Sequence, residues 1–482
     1  MHLSDFPDRL SPMLVKELRQ GLRTRSFIAV FLTLQAVLGV ILLTASAAAT
    51  SDHAGSSISS IIFVFFSIAV LIIQPLRGIA ALSSEVKGNT IDMMVLTRLS
   101  AWRIVTGKWA AIVSQSALIL VTIIPYLILR YFFGGMNLLG EIVLLGMIFF
   151  TSAALTAVTV GLSASGSVIL RSVLPIVGLP IGSYILLVFF TFGGGIEDLV
   201  ELCALEDRES WNILAMYLAG SAYLGFFFLS TGASLIATYA ENHSTLRRVI
   251  ALLAACIAGI VGSIGTLTDP DVMLAVLVLI LTPVFAVSLT EFAPLVSPVY
   301  RKFTKRGPLG SLAGFFFFPG WPSGVFFCAL ITLVAAVPLI LNSSYHISND
   351  HAIISLACLG TLLFPAAIIS LLRMKGAQRV SNYILLGIAS CILSLVLGGI
   401  AESMSSRDFL WLFVWMPPVI FVMQANSAFN DEMLLAAIVV IDAALFALLL
   451  ILAQHAYRAS VSGIRDSLAG DTGTGETAKT AP

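Results

Sequence analysis

Acidic side chains within apolar stretches are the first residues of this sequence that could do chemistry. Asp442 lies in the middle of a long apolar run, and Glu291 lies near the end of another. A charge inside a membrane-like segment is costly, so such residues are functional candidates by default. Two interpretations of Asp442 remain open: it faces a polar pathway, or, as we favour, it bonds to a hydroxyl or amide on a neighbouring helix. Glu291 is expected to reach the membrane surface.

Other polar residues give weaker signals. Gln35, Gln74 and Gln115 are expected to hydrogen-bond across helices, and Gln74 joins Asp442 as a candidate pathway or interhelix residue. His346, Asp350 and His351 offer metal-ligating atoms, but as loop residues without a supporting frame they are expected to be solvated. The five cysteines are scattered singly, and no nucleophile–base or paired-carboxylate spacing occurs. We therefore assign no catalytic residue, no metal site and no enzymatic activity.

The composition determines which elements must position these residues. Hydrophobic residues make up 58% of the chain and charged residues 11%, whereas a soluble domain carries about 25% charged residues. Runs of about 20 apolar residues are long enough to cross a bilayer as helices. We predict an all-α polytopic integral membrane bundle of about twelve transmembrane helices, at 27–49, 60–82, 108–129, 141–163, 172–192, 213–239, 249–266, 272–294, 323–341, 351–372, 380–401 and 433–455.

Basic residues orient the predicted spans. If the N-terminus is cytoplasmic, only Arg130, Arg208 and Arg407 of the 26 lysines and arginines fall on the outer side. Residues 410–424, broken by Pro417 and Pro418, are short for a span and suit a re-entrant hairpin. Both termini are then cytoplasmic, in a multi-pass protein of the cell inner (plasma) membrane.

Loop positions suggest two halves of six helices each. The longest inside loop follows the second span of each half, and the long outside segment follows the fifth, which suggests an internal duplication as in transporters whose pathway lies between two halves. The predicted organisation is a cytoplasmic amphipathic helix at 1–26, transmembrane halves at 27–248 and 249–458, and a cytoplasmic tail at 459–482 that is expected to be disordered.

Two short segments at the predicted cytoplasmic side have amphipathic patterns. Residues 11–26 place Leu14, Val15, Leu18 and Leu22 on one helical face and Lys16, Arg19 and Arg23 on the other, as in a helix lying at the membrane interface. In residues 84–108, Thr90 can cap a new helix that has Asp92 in its first turn and Arg98 near its end. Its apolar stripe suits either docking onto a cytoplasmic partner or lying on the membrane surface.

These two segments resemble the permease subunits of type-2 ATP-binding cassette (ABC-2) transporters. The first resembling motif is Lys16-Glu17-Leu18-Arg19 with Arg23, and the second runs from Glu85 through Thr90, Asp92 and Leu96 to Gly107-Lys108. The chain departs from the family in having Gly88-Asn89-Thr90, and Arg98 where proline is common. The corresponding loop of the second half, 295–322, lacks the acidic and Gly-Thr elements, so whether it retains a docking site stays open.

The resemblance implies a pore-forming subunit that couples to a separate cytoplasmic ABC ATPase, which would bind ATP and Mg²⁺. The chain itself binds no cofactor in this interpretation, because Trp102 stands where a phosphate-binding loop ending at Lys108 needs its first glycine. Its other partners would be membrane lipids and an unidentified substrate, which is expected to be exported, and not nucleic acid. The implied ATPase-coupling residues are Glu85, Gly88, Thr90, Asp92, Leu96, Arg98, Arg103, Gly107 and Lys108, and those of the interfacial helix are Lys16, Glu17, Leu18, Arg19 and Arg23.

Two alternatives belong to other functional classes. An ion-coupled secondary transporter would use Asp442, and gradient-driven uptake would be lost in Asp442→Asn. A membrane-embedded enzyme or a non-transporting scaffold is the second alternative; an enzyme would need several polar residues at one membrane depth, and the sequence has few.

Overall fold

The structure, a computed structural model, describes most of the chain. The described residues are 12–48, 54–83, 85, 100–131, 137–173, 175–176, 178–179, 195–238, 241–263, 270–341, 349–374, 378–404, 408–425 and 429–477, and every regular element in them is helical. The chain divides into two compact units, Met1–Ala237 and Thr238–Pro482. This division falls before the predicted one at 248/249, because the helix that carries Arg247 and Arg248 already begins at His243.

The first unit is built from eight described α-helices. They are α1 (Pro12–Leu22), α2 (Arg25–Ala48), α3 (Ala54–Ser67), α4 (Gln74–Arg77), α5 (Ala101–Tyr131), α6 (Leu138–Ser163), α7 (Gly195–Cys203) and α8 (Arg208–Ile236). A π-helical segment, Ile68–Ile73, joins α3 to α4, and a 3₁₀ turn, Gly78–Ala80, follows α4. These four pieces form one apolar span, Ser59–Ala80.

Two kinds of packing hold the first unit together. Large side chains from α2, α3, α5 and α6 form a buried core that includes Leu38, Phe63, Phe66 and Ile123. Helices α6 and α8 instead meet at glycines, where a Cβ on Gly232 would lie 2.8 Å from the Cα of Gly161. Small residues let membrane helices approach closely, since lipid provides no hydrophobic driving force between them.

The second unit contains nine described α-helices. They are α9 (His243–Ser263), α10 (Pro270–Thr290), α11 (Ser297–Thr304), α12 (Gly307–Phe317), α13 (Trp321–Leu341), α14 (Asn349–Leu371), α15 (Gln378–Ser403), α16 (Pro417–Gln424) and α17 (Asp431–Thr477). A 3₁₀ helix, Asp408–Phe413, precedes α16. Met416, Val419, Ile420 and Met423 bury their side chains in a core shared with α14, α15 and α17. The segment predicted to be re-entrant is therefore two short helices, each too short to cross a bilayer.

The described residues contain nine helices long and apolar enough to cross a membrane, so the protein is a multi-pass helical membrane protein. A tenth candidate is the pair formed by α12 and α13, which bends by 94° at 318–320. Val276–Thr290 is a shorter apolar helix within the predicted span 272–294. The predicted span 172–192 falls largely outside the described residues.

The last apolar helix extends into the predicted C-terminal tail. Helix α17 continues through the predicted tail to Thr477. The first turns beyond the apolar run are fixed by packing, because Ile464 is buried and Arg465 donates to the Tyr300 hydroxyl at 3.2 Å.

Candidate functional site

A buried lysine joins three segments at one end of the first unit. The Nζ of Lys108, near the start of α5, lies 3.2 Å from Oε1 of Glu17 on α1 and 2.9 Å from Oε1 of Glu85. The side chains of Lys108, Glu17 and Glu85 are 7%, 19% and 13% exposed. We call these three residues the Lys108 junction. Removing one partner from such a shielded group leaves an uncompensated charge, so the three segments favour staying together.

The helices around the Lys108 junction are in close contact. Helix α1 packs along α5, and a Cβ on Gly21 would overlap the Gln115 side chain, so Gly21 allows the two helices to approach. The chain leaving the second span is fixed by the Leu82 amide, which donates to Ser163 Oγ on α6 at 3.2 Å. Glu85 follows three residues later. The junction thus joins α1, the end of the second span and α5.

A second polar group lies within the same helices. The Arg77 guanidinium donates to Gln74 at 3.2 Å, to Thr24 at 2.9 Å and to Gln115, and it lies 5.6 Å from the centre of the Phe27 ring. Gln115 therefore bonds across helices, as Gln35 does to Thr122 at 2.7 Å. Gln74 is buried but accepts from Arg77 of its own helix, which differs from the expected interhelix bond.

The two faces of the predicted interfacial helix have different surroundings. Lys16, Arg19 and Arg23 are exposed, whereas Leu18 and Glu17 are partly buried. The cations thus lie on the side of α1 away from α5, where lipid phosphates or a protein partner can reach them.

The structure places only some of the predicted coupling residues. Gly88, Thr90, Asp92, Leu96 and Arg98 lie outside the described residues. In the first two turns of α5, Arg103 is exposed, whereas Gly107 and Lys108 are buried. Glu85 and Lys108 therefore flank the segment 86–99 along the chain, and they form an ion pair with each other.

The second unit holds a buried ionic cluster that the sequence did not reveal. Glu291, directly after α10, pairs with Arg247 at 2.7 Å and Arg248 at 3.0 Å, accepts from the Gly320 amide at 3.2 Å and accepts from Ser244. Burial acts to raise the pKa of Glu291, but the two guanidiniums outweigh it and hold the pKa below its usual value. The expectation that Glu291 reaches the surface is wrong, because neighbouring arginines on α9 neutralise it in place.

Arg248 also holds the bend between α12 and α13. Its guanidinium donates to the carbonyls of Phe316, Phe318 and Gly320 at 3.0, 2.5 and 3.0 Å and to Ser323 Oγ at 3.1 Å. One side chain thus supplies donors to the Phe316 and Phe318 carbonyls at the end of α12 and to the Gly320 carbonyl, which also accepts from the Gly324 amide at 3.1 Å. Two adjacent arginines before an apolar run were visible in the sequence, but nothing in the spacing indicated their acceptors.

Asp442 lies in the interior of the second unit. It is 4% exposed, and neither carboxyl oxygen has a hydrogen-bond partner in the part of the chain that the structure describes. The partner hydroxyl or amide that we favoured from the sequence is therefore not seen. On the facing helix α14, a Cβ on Gly360 would overlap Asp442 Oδ1 and lie 2.8 Å from Pro417 Cβ.

The remaining polar candidates are dispersed. Asp350 accepts from Gln424 Nε2 at 2.6 Å, so this carboxylate fixes α14 to α16. His346 lies outside the described residues. Within the described ranges, no three His, Cys, Asp or Glu side chains are grouped so as to hold a metal ion.

Comparison with known proteins adds no identification: no family model, curated protein or solved structure matches this chain.

Proposed function

We propose that the chain is the transmembrane permease subunit of an ABC-2 type transporter, which exports its substrate with energy from a separate ATPase docked on the loop 84–108. The observation that carries this proposal is the Lys108 junction. The two segments that resemble the family meet there, through Glu17 of the first and Glu85 and Lys108 of the second. A simple membrane anchor would not need a buried ionic link between α1 and the loop after the second span.

The Lys108 junction connects the segment 86–99 to α1 and α5, so that movement of this segment is passed to both helices. When the ATPase binds or hydrolyses ATP and moves the segment 86–99, the displacement reaches Glu85 at one end of the segment and Lys108, beyond its other end. Because Lys108 also pairs with Glu17 at 3.2 Å, α1 and α5 move together. Breaking one of these partly buried ion pairs would leave an uncompensated charge, so the linked helices favour moving as one.

The same proposal includes twelve spans in two six-helix halves, with both termini in the cytoplasm of a bacterial cell. The second unit supports six spans: α9, α10, the bent pair α12 and α13, α14, α15 and α17. The first unit has five described spans and the apolar segment 172–192. The 3₁₀ helix Asp408–Phe413 and α16 then form the re-entrant piece, and all lysines and arginines except Arg130, Arg208 and Arg407 lie inside.

The test is copurification of the full chain with the ATPase encoded by a neighbouring gene, followed by ATP hydrolysis in lipid nanodiscs. We expect the triple variant Glu85→Gln, Asp92→Asn, Arg98→Ala to lose both binding and stimulation of the ATPase. A matched control is Glu206→Gln, Asp207→Asn, Arg208→Ala, which removes two acids and one base from exposed positions before and at the start of α8. The control should retain both properties.

A further variant separates coupling from folding. Asp92→Asn with Arg98→Ala leaves the Lys108 junction intact, so the protein should elute from size exclusion as the wild type does and still fail to stimulate the ATPase. Full stimulation in both this double variant and the triple variant would show that the loop does not couple to the motor.

A further inference from the structure

The buried carboxyl of Asp442 is the group in the second unit that no other part of the proposed function uses. It lies eleven residues after Asp431, where α17 begins, which corresponds to about 16 Å along the helix. That is about half of the roughly 30 Å thickness of a hydrocarbon core. The side chain is therefore placed near the middle of the membrane, and not at a surface where it would be hydrated.

The immediate surroundings of Asp442 are apolar. Its helix, α17, packs against α13, α14 and α16, and the contact on α14 is the bare backbone of Gly360, beside Pro417 of α16. Ile438 and Phe364 of the same core are buried. An ionised carboxylate in such a site would lose its hydration without gaining a hydrogen bond or a counter-charge, which proteins avoid by neutralising the group.

No charged group on the packed helices compensates Asp442. Helix α16 carries no ionisable side chain, and Cys328 is the ionisable residue of α13. On α14, Cys358 lies two residues before Gly360, which is about 200° around the helix from it. Asp350 and His351 are at the start of α14, and Asp431, Glu432 and His455 are near the ends of the apolar part of α17. Each of these is nine or more residues from Gly360 or Asp442, or at least about 14 Å along its helix.

We propose that Asp442 is a proton-binding site. Its carboxyl carries a proton in the described conformation and releases that proton when α14 separates from α17. On separation water enters, the carboxyl O–H bond breaks, a water molecule accepts the proton, and the carboxylate that remains is hydrated. Closure of the same helices requires the proton to return. Proton occupancy and the α14–α17 contact are thus linked, whichever energy source drives the protein.

The ligand that fits this site is a proton and not a metal ion. A metal cation held by carboxylates takes several oxygen ligands, whereas no group of three His, Cys, Asp or Glu side chains that could supply them occurs among the described residues. Gly360 matters because any larger residue would overlap the carboxyl oxygen. The space beside Gly360 therefore accommodates the uncharged, protonated carboxyl of Asp442.

The test uses dicyclohexylcarbodiimide, an apolar reagent that reacts with protonated carboxyls. The carboxyl O–H adds across one C=N bond, so that oxygen bonds to the central carbon and the proton goes to nitrogen; the adduct then rearranges to a stable N-acylurea without a leaving group. The full chain in lipid nanodiscs at neutral pH should gain one adduct at Asp442, located by peptide mass spectrometry. A water-soluble carbodiimide should not label this residue.

Two variants make the result decisive. Asp442→Asn should lose the adduct, whereas Glu432→Gln, which changes an exposed acid on the same helix, should keep it. As a second readout, the infrared band of a protonated carboxyl should be present in the wild type and absent in Asp442→Asn. Absence of both the adduct and this band in the wild type would overturn the proposal, because Asp442 would then be ionised.

Discussion

Replacing Arg248 tests whether a planar guanidinium fixes the bend between α12 and α13. The side chain is 3% exposed and donates to three carbonyls, one hydroxyl and the Glu291 carboxylate. Arg248→Lys keeps the charge but replaces the fork with a single ammonium, which cannot reach acceptors on several sides. Comparing Arg248→Lys with the wild type therefore separates the effect of guanidinium geometry from the effect of charge.

The expected loss follows from the acceptors that remain without a donor. A buried acceptor left unsatisfied costs about 1–3 kcal/mol. The Ser323 hydroxyl has one hydrogen to share between the carbonyls of Phe318 and Gly320, and Gly320 also accepts from the Gly324 amide at 3.1 Å. These two carbonyls therefore lose only part of their hydrogen bonding, whereas Phe316 loses more. We expect Arg248→Lys to reduce the free energy of unfolding by about 2 kcal/mol. Arg248→Ala should cost about 3 kcal/mol, the lower end for a broken buried ion pair, because Arg247 still pairs with Glu291.

The assay is denaturant unfolding of the detergent-solubilised full chain, followed by tryptophan fluorescence. The matched control is Arg301→Lys, an exposed arginine on α11, which should change the free energy of unfolding by less than about 0.5 kcal/mol. Equal unfolding midpoints for Arg248→Lys and Arg301→Lys would refute the claim that guanidinium geometry holds the bend.

Two further predictions concern acid stability and helix packing. Because the folded-state pKa of Glu291 is lowered, its stabilisation is complete above about pH 4.3, the usual pKa of an unfolded glutamate, and is lost as the pH falls through the folded-state pKa. Thermal unfolding at several pH values should show this acid loss in the wild type and less of it in Glu291→Gln; identical profiles would contradict the ion pairing. Gly161→Ala should lower the unfolding temperature, since its methyl would overlap the Phe228 carbonyl oxygen, at a cost of about 1–3 kcal/mol. Gly146→Ala, on the same helix but with open space around the added methyl, should not, and equal effects would contradict the close α6–α8 contact.

The sequence predicted the positions of the helices better than it predicted which helices pack together. Apolar runs of sufficient length located the long helices, such as α2 and α14, within a few residues, because length and hydropathy are local properties. The Lys108–Glu17 pair joins residues 91 positions apart, and Arg248–Glu291 joins residues 43 apart. Hydrophobic periodicity does not indicate which helices are neighbours. The sequence therefore singled out each of the three residues of the Lys108 junction, but it did not predict that they lie together.

The interior acids illustrate the same limit. Glu291 and Asp442 both occur in apolar runs, and the sequence treated the first as a surface residue and the second as a bonded one. Their surroundings are the reverse: Glu291 has two arginines and Asp442 has no described hydrogen-bond partner. The difference depends on which side chains the adjacent helices present, which requires the three-dimensional packing.

The π-helical segment Ile68–Ile73 determines which way the polar end of the second span faces. A π-turn takes up one residue more than an α-turn, and one residue corresponds to about 100° of helix rotation. The residues after it are therefore out of phase with an uninterrupted helix. In this phase Arg77 reaches Gln115 on α5. The extra residue of the π-turn thus rotates the following residues about the helix axis. Because of this rotation, a mostly apolar span presents its polar groups to protein instead of lipid.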